Sequence, residues 1–219
     1  MGMNFDQARR NMVEQQVRTW EVLDPEVLEV LGTLHREDFA RPRHRKLAYA
    51  DMMLPLDHDQ VMMKPVVEGR VLQSLDLSGD EEVLEIGTGS GYLTACLATL
   101  ALRVTSVDFF QSFADAAERK LGALGLSNVS FESGDVLGEW SPGRAFDAVV
   151  VTASAAEVPG RFQEWVKPGG RLFAVRGHSP VMEAVVMTRL DAEQWSTESL
   201  FETDLPRLIG AEDRETFEF

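Results

Sequence analysis

Val83-Leu84-Glu85-Ile86-Gly87-Thr88-Gly89-Ser90-Gly91 is the stretch on which the fold turns. Its apolar start suits a short buried strand, and its glycines suit a tight turn. Residues 92–102 follow with Leu93, Ala95, Leu97, Ala98, Leu100 and Ala101, the content of a well-buried helix. Strand, glycine turn and helix in that order form the nucleotide-handling corner of an open α/β sheet. A dinucleotide fingerprint needs G-x-G-x-x-G, but Gly87, Gly89 and Gly91 bring the third glycine one residue early. Glu85 stands two residues before the first glycine, near the end of the strand. A carboxylate there repels a pyrophosphate and suits a ligand with a positive amino group. S-adenosylmethionine (SAM) carries an ammonium and a sulfonium and no phosphate. The alternative is an ordinary strand-to-helix turn whose glycines supply only positive φ.

Composition narrows the class. The 219 residues leave room for one domain with a substantial core. With 44% hydrophobic and 26% charged residues the chain falls among soluble globular proteins. No apolar run approaches the ~18 residues of a membrane helix. The start lacks a basic stretch leading into an apolar run, so no signal peptide is expected. Gly2 suggests acylation, but Asp6 stands where Ser or Thr is wanted. Cys96 is the single cysteine and lies in the apolar helix, which points to a reducing cytoplasm. A net charge of −15 opposes a broad nucleic-acid groove. Acid concentrates in residues 191–219, where nine Asp or Glu face only Arg207 and Arg214. Residues 35–46 instead carry Arg36, Arg41, Arg43, Arg45 and Lys46, either a solvated loop or a site for an acidic partner.

In chain order, Phe5, Ala8, Met12, Val17 and Trp20 predict a first helix, and Asp24-Pro25 caps a second. An irregular stretch lies between Pro42 and Pro55, and a third helix spans about 66–75. Beyond the glycine turn, strands are expected at 103–108, 129–132 and 146–152. Helices are expected at 111–122 and near 160–165. Pro168-Gly169-Gly170 should turn into a strand at 171–175, with two more at 184–190 and 199–205. This alternation predicts a Rossmann-like α/β fold with a mostly parallel seven-stranded sheet and right-handed crossovers. Residues 1–80 form a helical extension with an acceptor loop, and 81–219 the cofactor-binding core, within one domain.

Ligands of such sheets bind at the strand carboxyl ends. Glu85, Asp108 and Asp135 stand there in succession. Asp108 is placed to take both ribose hydroxyls, and Asp135 to accept from an adenine amino group. Singly, each is as well read as a helix cap. Together they point to a class I SAM-dependent methyltransferase. His35, His44, His58 and His178 are scattered without ligand spacing, so no metal site is expected, and His58 reads as a surface residue.

At this point the chain resembles the protein-L-isoaspartate O-methyltransferase family over most of its length. Residues 11–18, Asn-Met-Val-Glu-Gln-Gln-Val-Arg, resemble its opening helix. Ala48-Tyr49-Ala50-Asp51 with Leu54-Pro55-Leu56 resembles its substrate-side loop, and 83–91 its SAM turn. Gly134-Asp135, Phe146-Asp147 and Lys167-Pro168-Gly169-Gly170 fall in step. The resemblance implies SAM as cofactor, S-adenosylhomocysteine as product and a protein or peptide carboxylate as acceptor. It places Met62, Met63, Glu85, Gly87, Thr88, Gly89, Ser90, Gly91, Asp108, Phe109, Asp135, Val136 and Thr152 around the cofactor. Gln60, Met63 and Lys64 would face the acceptor.

The family reads Gly-Gln-Thr-Ile-Ser before Pro65, where this chain reads Asp59-Gln60-Val61-Met62-Met63-Lys64. The threonine and serine positions are thus Val61 and Met63. A carboxylate is already ionised at pH 7, with a pKa of about 4, so no general base is required. Losing a hydroxyl donor to a charged group costs ~1.5–3 kcal/mol, or one to two orders of magnitude in rate. Weak isoaspartyl activity is therefore expected, with Lys64 as a compensating cation. The alternative is a SAM-binding regulatory or adaptor protein without acceptor chemistry. A tRNA or DNA methyltransferase is opposed by the acidic surface.

Overall fold

The computed structural model describes residues 3–212. Gly2 and the acidic tail from position 213, with Arg214, lie outside the described residues. Helix α1 (Phe5–Met12) begins on Asn4, whose side chain accepts from the Gln7 amide. The helical path continues through a wide turn at Val13–Val17 and a tight one at Arg18–Trp20. Met12 and Val17 point into the core, and Trp20 packs edge-on against Phe201. Asp24 caps α2 (Pro25–Thr33) by accepting from the Glu26 and Val27 amides. Strands β1 (Leu54–Pro55) and β2 (Val61–Met62) pair antiparallel in a small ribbon within the stretch expected to be irregular. Two-residue strands have no periodicity to read. The remaining elements are α3 (Pro65–Leu75), β3 (Glu82–Ile86), α4 (Tyr92–Leu100), β4 (Arg103–Asp108), α5 (Gln111–Ala123), β5 (Val129–Ser133), β6 (Phe146–Ala155), α6 (Gly160–Glu164), β7 (Val166–His178), β8 (Val181–Arg189) and β9 (Trp195–Thr203).

The main sheet has seven strands in the order β5-β4-β3-β6-β7-β8-β9. Strands β5 to β7 in that order are parallel, while β8 and β9 are added antiparallel. Consecutive residues feed opposite faces. Val83, Ala148, Val150, Phe173 and Val175 join the apolar layer of α1 to α5. Leu84, Val149, Val151, Leu172 and Ala174 join the layer holding Phe162 and Trp165. This period-two burial is what a sheet covered on both faces requires.

Two boundaries differ from expectation. Lys167 to Gly170 do not end an element; they form a bulge inside β7, where the register passes from Phe146↔Val166 to Ala148↔Arg171. The last hairpin turns earlier than expected, because the Asp191 side chain accepts from the Glu193 and Gln194 amides. The basic segment divides: Arg43, Arg45 and Lys46 are exposed, while Arg36 is drawn inside. Arg36 is fully buried and pairs with Glu68. It also donates from Nε to the Ala48 carbonyl (2.7 Å) and from Nη2 to the Met63 carbonyl (2.5 Å). Arg41 holds the Leu56 carbonyl and Asp57, and Arg45 pairs with Asp38. Among the described residues, no helix is long and apolar enough to cross a membrane.

Candidate active site

Strand β3 lies between β4 and β6, so the order reverses there and a crevice opens at its carboxyl end. The turn after it is built around glycine. Gly87 has φ +98°, and a Cβ there would sit 2.2 Å from Thr152 Oγ1. Thr152 donates its hydroxyl to the Gly87 carbonyl at 2.8 Å, with the Ile86 carbonyl at 3.0 Å, and so clamps the turn to β6. Gly91 has another task. A Cβ there would meet the Ala117 methyl at 2.8 Å, so the glycine lets α4 start hard against α5 and does not line the cleft.

The cleft encloses about 70 Å³ and opens to solvent. Gly87, Gly89, Asp108, Phe109, Asp135, Val136 and Thr152 line it, and Gln60 and Val61 close one side. Asp108 is buried at the end of β4 and accepts from the Gly89 and Phe110 amides, each at 2.9 Å. Burial pushes its carboxyl above the usual range, and those amides with that of Thr88 pull it back. Asp135 accepts from the Leu137 amide at 2.9 Å. Each carboxylate oxygen has a second lone pair. Asp108 and Asp135 thus keep acceptor capacity beyond the backbone amides they already hold.

Glu85 is not in this cleft. It is fully buried beneath the turn, where Thr94 and Ser106 donate their hydroxyls to Oε2 at 2.5 and 2.6 Å. Oε1 has no hydrogen-bond partner. Burial pushes its carboxyl up to about 8, against the pull of those hydroxyls. Burial thus favours the neutral form of Glu85, which supports the turn from beneath and lines neither the cleft nor the space beside it. Because its folded pKa of about 8 exceeds the ordinary 4.5, the native state holds the proton more tightly than the unfolded chain. The stability it contributes is complete below 4.5 and is lost as pH rises through 8. Urea titrations at about pH 6 and 9 should show wild type losing stability at high pH, and Glu85→Gln losing clearly less. Equal losses would contradict this.

A second, smaller space adjoins the cleft, lined by Met62, Met63, Glu68, Thr88, Ser90 and Leu93 among others. It shares Val61, Gly87, Gly89 and Thr152 with the first. The β1–β2 tip is held over the junction by His58, which is exposed but stacks on Phe110 with centroids 4.0 Å apart. His58 Nε2 also lies 3.0 Å from Ser112 Oγ. Lys64 is the half-buried N-cap of α3 and lines neither space.

The far wall was missed by sequence reasoning. Residues 206–209 run along the end of β6, where Ser154 donates its amide to the Pro206 carbonyl (2.9 Å) and accepts from the Leu208 amide (2.8 Å). The Ser154 hydroxyl donates to the Leu205 carbonyl at 2.8 Å. The available signal was the apolar Leu205, Leu208 and Ile209 inside an acidic tail, but their partner lies some fifty positions away. Among the described residues, no three His, Cys, Asp or Glu are grouped to hold a metal ion.

A switch-point cleft with a clamped glycine turn and an acid ending β4 defines a class I SAM-dependent methyltransferase. The family model of protein-L-isoaspartate(D-aspartate) O-methyltransferase matches residues 7–202. The protein-L-isoaspartate O-methyltransferase of Brucella anthropi is 36% identical over 94% of this chain and 95% of its own. That of Syntrophus aciditrophicus is 38% identical over 94% and 95%. A Plasmodium falciparum beta-aspartate methyltransferase, crystallised in complex with S-adenosyl-L-homocysteine, superposes with a TM-score of 0.77. It covers 94% of this chain and 99% of its own, and at 16% identity it supports the fold. The chain belongs to the protein-L-isoaspartate O-methyltransferase family.

Proposed function

We propose that this chain transfers a methyl group from SAM to the carboxylate of an isoaspartyl residue in a protein or peptide, in a reducing cytoplasm. Asp108 takes the ribose diol, Asp135 the adenine amino group, and Phe109 and Val136 flank the base. The glycine turn and Met62 border the rest of the cofactor. The cradle suits SAM because both acids lining it are acceptors, matching the donors of a ribose diol and an amino group. One observation carries the reading: the Asp108 cleft and the Met63 space meet at Val61, Gly87, Gly89 and Thr152, so donor and acceptor can share a junction.

SAM supplies an electrophilic methyl and leaves as S-adenosylhomocysteine. With SAM bound, an acceptor oxygen would form the new C–O bond as the C–S bond breaks, the electron pair staying on sulfur. The acceptor is already an anion, so the chain's work is alignment and exclusion of water. Gln60, Val61 and Met63 face the acceptor. Residues 3–80 supply this loop and 81–212 the cofactor cleft, as one catalytic unit. Neither Val61 nor Met63 can donate a hydrogen bond, so transfer to isoaspartyl peptides is slow.

Calorimetry with S-adenosylhomocysteine should show one site per chain. Asp108→Ala should weaken it by ~1–3 kcal/mol, about 5–150-fold, through lost ribose hydrogen bonds. Absence of heat and of thermal shift with wild type would end the reading.

A further inference from the structure

The tip of the β1–β2 ribbon is bent against its own preferences. His58 and Asp59 sit in succession in the left-handed region, with φ +55° and +56°. Residues other than glycine resist that conformation, so a surrounding contact has to hold them there. The tip first closes on itself. Leu56 donates its amide to the Gln60 carbonyl (2.8 Å) and Gln60 to the Asp57 carbonyl (3.1 Å). The Gln60 side chain donates to the His58 carbonyl at 3.1 Å. Arg41 grips one shoulder, through the Leu56 carbonyl and Asp57. The other side rests on the His58 ring.

That ring lies flat on Phe110, with an interplanar angle of 4°, and meets Phe113 edge-on at 5.5 Å. Both phenylalanines line the cofactor cleft. Phe110 caps the start of α5 and donates its amide to Asp108, the acid proposed for the ribose. Just beyond the ring in the chain, Gln60 and Val61 line the same cleft, and Val61 also borders the acceptor space. One imidazole thus joins the acceptor side to the segment that orients the cofactor. We propose that His58 is a positioning residue for methyl transfer, its ring fixing the ribbon so that acceptor and cofactor meet in line. A shift of about 1 Å at such a junction costs roughly a hundredfold in rate. The inference rests on the transferase reading above and names the residue that aligns its two halves.

The test compares His58→Ala, which removes the stack, with His58→Phe, which keeps an aromatic face on Phe110 but no ring nitrogen. His58→Ala should lower kcat for transfer to a synthetic isoaspartyl hexapeptide by about 10–100-fold, with S-adenosylhomocysteine affinity within about threefold. His58→Phe should stay within about threefold of wild type, as should Ser112→Ala, which loses only the 3.0 Å contact to the ring. Amide hydrogen exchange across the ribbon needs neither substrate nor turnover. It should quicken by about tenfold or more in His58→Ala and stay near wild type in His58→Phe. Wild-type kcat or unchanged exchange in His58→Ala would overturn the proposal. So would His58→Phe as impaired as His58→Ala, which would move the hold to the Ser112 contact. A loss of S-adenosylhomocysteine affinity matching the loss of kcat would assign the ring to the cofactor and overturns it too. Wild type that binds S-adenosylhomocysteine but methylates nothing fails the transferase reading alone, and exchange in the two variants then decides whether the ring holds the ribbon.

Discussion

Arg36→Met is expected to destabilise the protein by about 3–5 kcal/mol in urea denaturation, because it leaves the Glu68 carboxylate buried without its partner. Glu68 has almost no solvent contact. Burial pushes its carboxyl up while Arg36 pulls it down. The guanidinium also holds the Ala48 and Met63 carbonyls and lies 4.8 Å from the centre of the Tyr92 ring. One side chain therefore joins the N-terminal segment, the acceptor loop, α3 and α4. Replacing both partners, Arg36→Met with Glu68→Met, should recover much of the loss, since a packed apolar pair is often as stable as a buried ion pair. That double variant should still be impaired with acceptor, because the Met63 carbonyl has lost its anchor. A single variant within about 1 kcal/mol of wild type would refute the account.

Restoring hydroxyls to the acceptor loop should have the opposite sign. Val61→Thr with Met63→Ser is expected to raise isoaspartyl peptide turnover by about 10–100-fold, with S-adenosylhomocysteine affinity unchanged. Met63 lines the smaller space proposed for the acceptor, where a serine hydroxyl would be placed to donate to an incoming carboxylate. Met63 is buried and Val61 only partly so, so a smaller polar residue at 63 leaves some empty volume, and the melting temperature should fall slightly. Wild-type turnover already at ordinary rates, on the order of 0.01–1 per second, would show that the missing hydroxyls do not matter.

Local signals made the frame readable. The glycine turn, Asp24 before Pro25 and the acid ending β4 each act within a few residues, and the structure places them as their spacing predicts. The sheet was legible for the same reason, since buried parallel strands are apolar runs between helices. Long-range pairings were not legible. Arg36 sits in a basic run that reads as solvated, and only the fold brings Glu68 and Met63 to it. Glu85 falls at a plausible ligand position, but Thr94 and Ser106 draw it beneath the turn. The 206–209 wall depends on Ser154, and its cation at 207 stood in a segment noted only for its acid.

Transfer of labelled methyl from SAM to paired synthetic peptides, one isoaspartyl and one aspartyl, tests the central claim most directly. Base-labile methyl ester should accumulate on the isoaspartyl peptide, slowly in wild type, and not on its aspartyl counterpart. Wild type that binds S-adenosylhomocysteine yet leaves no base-labile label on either peptide would contradict the account.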